Sequence, residues 1–167
     1  PTIPWLSSLL RENSFQVENN DLDQNNEVLN QIEGIERQFM LIGRAAIGKF
    51  DNKVAEIQKN LSNPDTFESA QVQLGILLGF DAHNDESNAA PDPWWFGKSI
   101  GIVFEDHFDG KNTSVLGAKK ARQAYTHPNW LRKKFDIDDS FIIHPFILTP
   151  CDIAESGAEP TLSGVRY

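Results

Sequence analysis

A chain of 167 residues, 40% hydrophobic, is long enough for one domain with a sizeable core and too short to argue for two. No run of eighteen apolar residues and no basic start leading into an apolar stretch is present, so neither a membrane span nor a signal peptide is expected, and the single Cys151 excludes an internal disulfide and a CxxC-type zinc site. The net charge of −9 argues against a nucleic-acid binder until its distribution is read: Gly110 to Lys134 carries seven basic residues and no acid, leaving −16 on the rest. That asymmetry predicts a basic face on an acidic body. A solvated helical surface is the plainer reading of the same run.

In chain order, residues 1 to 22 mix an apolar patch (Ile3, Trp5, Leu6, Leu9, Leu10) with a polar run, which reads as a short helix or docking arm and a loop. From about Asp23 to Lys49 apolar residues recur at near-helical spacing and predict a long amphipathic helix, followed by a second helical segment over Asn52 to Leu61. Gly43 to Phe50, GRAAIGKF, imitates a phosphate-binding loop. It lacks the Ser or Thr that would ligate magnesium and lies in a helical pattern, so nucleotide binding is rejected there. Asn63-Pro64-Asp65 marks the start of a helix that ends at Gly79, with Glu68 and Gln71 one turn apart on it.

Phe80 to Ala82 predicts a short strand and Trp94 to Phe96 an aromatic strand or turn. Ser99 to Phe108 is the best strand in the chain. A Gly-containing loop over Asp109 to Thr113 leads to a helix from about Leu116 to Thr126, and Pro128 opens a further helical turn. Phe141 to Thr149 is a strand that Pro145 confines to an edge or bulged position, and the remaining residues read as surface loop. The order predicts an α/β fold with a small central mixed sheet flanked by helices, preceded by a long N-terminal helix.

The residues that carry chemistry lie between Pro91 and His107, PDPWWFGKSIGIVFEDH. In a strand, Glu105 and His107 face one way and Asp106 the other. With Asp92 at the end of a neighbouring antiparallel strand, its carboxylate can converge with that of Glu105 on one hard divalent cation. Taken singly, Asp92 is equally a loop acid between prolines, and Glu105 and Asp106 solvated strand-end acids. Trp94 and Trp95 read as core or groove wall, Tyr125 and Trp130 as helix packing or groove lining. His83, His127 and His144 lack ligand spacing and are assigned no metal.

Glu68 on a first helix, the Pro91-Asp92 pair, the triplet Glu105-Asp106-His107 and a following helix with Lys and Gln together resemble the PD-(D/E)XK nuclease superfamily. The resemblance covers residues 64 to 149 and implies a restriction-endonuclease-like core over residues 62–167, with residues 1–61 as a helical extension packed on it. It implies that Asp92, Glu105 and the main-chain carbonyl of Asp106 hold Mg²⁺ or Mn²⁺. Glu68 completes the site, and Lys119, Lys120, Arg122 and Gln123 contact the DNA backbone. His107 stands where the family has lysine, and an imidazole there can take or give a proton near neutral pH. The implied activity is metal-dependent hydrolysis of DNA, in the nuclease domain of a larger nucleic-acid-processing or defence protein, while the single cysteine and the missing signal peptide make a reducing, cytoplasmic setting the expected one. The larger polypeptide is also suggested by a chain that opens at Pro1 and stops at Tyr167. Other domains of that polypeptide and DNA are the expected partners, no membrane is, and a homo-oligomer is compatible. The alternatives are a catalytically silent nuclease-like domain that binds DNA or a protein, and an interaction domain built on the N-terminal helix.

Overall fold

The computed structural model describes residues 22–43, 46–87, 90–107 and 114–166. The N-terminal arm, the 109–113 loop with Lys111, and part of GRAAIGKF lie outside the described residues. Two helices, α1 (Leu22–Ile42) and α2 (Ala46–Leu61), stand where two helical segments were expected, but the break falls at Gly43 rather than after Lys49. Gly43 accounts for the break: at φ +79° it takes a left-handed conformation that closes a helix and that residues with a Cβ resist. Asn63 caps a short 3-10 turn by accepting from the Asp65 N–H at 3.1 Å, and α3 (Phe67–Leu77) follows.

Strands β1 (Asp81–His83), β2 (Trp94–Phe96) and β3 (Ile100–Asp106) form an antiparallel meander. After β4 (Val115–Leu116) and α4 (Ala118–Phe135), β5 (Ile142–Leu148) returns parallel to β3, so the sheet order is β1-β2-β3-β5 and the sheet is mixed. Pro145 lies on β5, at the sheet edge as its missing donor requires. The chain closes with β6 (Ile153–Ala154), paired with β4, and α5 (Glu159–Leu162).

Two expectations need correcting. Pro128 does not start a new helix but sits inside α4. An interior proline costs about 3 kcal/mol. Here Ala121 and Ala124 before it and Leu131 after it are all buried, so packing holds both halves to one core. The C-terminal stretch is not surface loop either: Cys151, Ala158, Leu162 and Val165 are buried with Leu116, Ala121, Ala124 and Ile147.

Helices cover both faces of the sheet. On one, Trp94, Val103 and Ile143 pack against Leu131 of α4; on the other, Trp95 and Phe104 pack with Val72, Leu74 and Ile76 of α3. A central strand covered on both faces loses simple polar alternation, which is why Val103, Phe104 and Glu105 are all buried. The parity of β3 then decides the chemistry: Glu105 falls on the α4 face and Asp106 on the α3 face. No helix among the described residues is long and apolar enough to cross a membrane.

Candidate active site

The acids gather at the carboxyl end of β3, where it runs beside the parallel β5, the usual place for a site in such sheets. Glu105 is only 4% exposed. A carboxylate so buried needs partners. Lys120 supplies one through an ion pair to Oε1, and His127 Nε2 lies 2.7 Å from Oε2. Burial pushes the Glu105 pKa up, but the hydrogen bonds with His127 and Lys120 outweigh it and hold the group below its ordinary value of 4.5. Both partners come from α4, two turns apart on one face.

Asp106 has the opposite surroundings. Its Oδ1 accepts from Gln71 Nε2 on α3 at 3.3 Å, while Oδ2 is buried with no hydrogen-bond partner among the described residues. Burial first, then the charge of Asp92, and more weakly those of Glu68 and Glu105, push its pKa up to about 7, against the opposing Gln71 bond. Asp92 accepts a hydrogen bond from the Asp106 main-chain N–H through Oδ2. Its pKa is raised by burial and by Glu105 and Glu68, with the Asp106 N–H and Lys120 pulling the other way. Glu68 is exposed on α3 and accepts from Asn84 Nδ2 at 2.8 Å.

The predicted residues are therefore brought together unevenly. Asp92, Glu105, Asp106 and Glu68 interact electrostatically as a group. The imidazole that reaches Glu105 is that of His127, whereas His107 Nδ1 lies 3.1 Å from Thr149 Oγ1 and 3.8 Å from Cys151 Sγ. Lys120 faces inward, and Lys119, Arg122 and Gln123 are exposed along the same helix. His127 was missed as a partner, although its spacing of seven from Lys120 on a helix placed both on one side.

Among the described residues, no three or more His, Cys, Asp or Glu side chains form a ready-made metal cage. The Lys120 ammonium bonds both Glu105 Oε1 and, at 2.9 Å, the Asp106 main-chain oxygen. The Glu105 carboxylate and the Asp106 main-chain oxygen thus already meet at one positive charge, whereas Asp106 Oδ2 lies on the α3 face, buried and with no hydrogen-bond partner among the described residues. Magnesium is commonly bound by only one or two carboxylates, with waters and substrate phosphate completing its shell. The arrangement thus pairs one buried carboxylate with two nitrogen groups and sets next to it in sequence a second acid that exchanges a proton near neutral pH. No protein-family model, curated protein or solved structure matches the chain.

Proposed function

We propose that this chain hydrolyses DNA phosphodiester bonds with the help of Mg²⁺ or Mn²⁺. It does so on a restriction-endonuclease-like core, as the nuclease domain of a larger nucleic-acid-processing or defence protein. The observation that carries this reading is the Lys120 ammonium lying between the Glu105 carboxylate and the Asp106 carbonyl, with Asp92 alongside. Asp92, Glu105 and the Asp106 carbonyl would hold the ion, which supplies a Lewis acid that activates water and offsets charge at phosphorus.

The chain's own groups have separable roles. His127 fixes the Glu105 carboxylate from the side away from Lys120. Lys120, paired with Glu105 and about one third exposed, would in this reading meet a phosphate oxygen that approaches it from solvent. Asp106, half-protonated near pH 7, is the group suited to accept a proton in the working range. In this reading Lys120, rather than His107, provides the cation that the family motif places on the strand.

A second reading has support of its own. Both Glu105 oxygens and one Asp92 oxygen are engaged by protein donors, which is how a silent domain would neutralise these acids without metal. Incubation of the chain with plasmid and linear DNA separates the two. The hydrolase reading expects nicking or degradation in Mg²⁺ or Mn²⁺, lowered about a hundredfold or more by Asp92→Ala, Glu105→Ala and Lys120→Met. DNA retention without cleavage, lost on charge reversal of Lys119 and Arg122, gives the silent binding domain instead.

A further inference from the structure

The basic residues of α4 divide into two sets. Lys120 is paired with Glu105, Arg132 donates to the main-chain oxygens of Asp138 and Phe141 at 2.6 and 2.7 Å, and Lys134 lies 3.2 Å from Asp85. Lys119, Arg122 and Lys133 make no ion pair or side-chain hydrogen bond among the described residues, and neither do the amides of Gln123 and Asn129. All five are exposed. At about 100° per residue, positions 119, 122, 123, 126, 129, 130 and 133 fall on a stripe about 120° wide that runs nearly the length of the helix.

The carboxyl-terminal half of this stripe borders a groove lined by Ala90, Gln123, Thr126, Asn129, Trp130 and Lys133. His127 lines it too, and the same ring contacts Glu105. One buried imidazole therefore stands between the groove and Glu105. On a chain of net charge −9, its described lining holds no carboxylate. An exposed ammonium and two exposed amides with no protein partner suit a ligand that brings negative charge and many acceptor oxygens.

We infer that this groove is a subsite for the polynucleotide strand flanking the scissile phosphate, with Lys133 on a backbone phosphate and the Gln123 and Asn129 amides on phosphate oxygens or base edges. The inference rests on the proposed hydrolase reading and adds a direction to it: the strand leaves the acids along α4 toward Lys133. Lys120, being committed to Glu105, does not belong to this track, and Lys119 and Arg122 continue it at the other end.

The test is binding of a short fluorescent single-stranded DNA to the full chain in EDTA, where no cleavage occurs, over a range of salt concentrations. Gln123→Glu with Lys133→Glu is expected to weaken binding about tenfold or more and to flatten the salt dependence by one or two released counterions. Lys59→Glu on α2 serves as a distant charge control and leaves binding within about twofold. The milder pair Asn129→Ala with Lys133→Ala, checked by thermal melting, guards against a folding defect. Binding by the charge-reversed variant equal to wild type, or displacement of the DNA by polyglutamate as effectively as by unlabelled DNA, overturns the subsite. If plasmid cleavage then persists, the hydrolase reading stands without it. Failure of the wild type both to bind any oligonucleotide and to cleave overturns the two together.

Discussion

Glu105 and Asp106 are neighbours on one strand and end in opposite electrostatic states. Glu105 faces α4 and meets two nitrogen groups, so its carboxylate is held ionised although it is the more buried of the two. Asp106 faces α3, where among the described residues an amide is its only side-chain hydrogen-bond partner and Asp92 and Glu68 add charge of its own sign, and its pKa rises to about 7. Burial alone therefore does not set the charge of an acid. The two-residue period of a strand does, by choosing which helix each acid meets.

The largest test of that contrast is Glu105→Ala. It strands Lys120 and His127 against the core, and loss of one partner from a buried ion pair costs about 3–5 kcal/mol, which the one-third exposure of Lys120 moves toward the lower figure. Urea unfolding should show this loss, with a much smaller change for Asp106→Asn. Equal losses would mean that the two faces do not differ as described.

Next in size is the pH dependence. The folded chain keeps the Asp106 proton up to about pH 7, whereas an unfolded aspartate loses it near 3.8. The fold thus binds more protons between those values, and this group's contribution is full below about pH 4 and is lost as pH rises through 7. Glu105 acts in the other direction. Its folded pKa lies below 4.5, so its contribution is present above that value and is lost on acidification. Asp106→Asn should flatten the decline in stability between pH 5 and pH 8 while leaving the acid limb in place; an unchanged slope would assign it to another group. Asp92→Asn should lower the Asp106 titration midpoint from about 7, as followed by carboxyl carbon NMR, because the second-largest cause of its elevation is removed.

The smallest effect separates two cations. His107→Gln, which disturbs the contact with Thr149, is expected to cost about 0.5–1.5 kcal/mol and to reduce cleavage far less than Lys120→Met. The reverse ranking would return the motif position to His107.

Much of this was legible in the sequence. The β-branched run before Glu105, the proline-marked edge strand and the opposite facing of Glu105 and Asp106 follow from local pattern and strand parity, and the structure agrees. What was not legible depends on packing between distant segments. Continuation of α4 through Pro128 is held by Leu131 in the sheet core, and burial of the C-terminal stretch by Ile147 and Leu116, which no local window reports. The pairing of Lys120 and His127 with Glu105 needed the knowledge that α4 covers that side of β3. Helical spacing hinted at the two residues together, and nothing local named their partner.

The central claim is that Asp92, Glu105 and the Asp106 carbonyl gather around one divalent cation. Calorimetric titration of the chain with Mn²⁺ at pH 8, where Asp106 is ionised, tests it without reference to catalysis. The account predicts saturable binding that Asp92→Ala and Glu105→Ala each abolish or weaken at least about tenfold. No binding to the wild type, or binding that neither substitution changes, would contradict it.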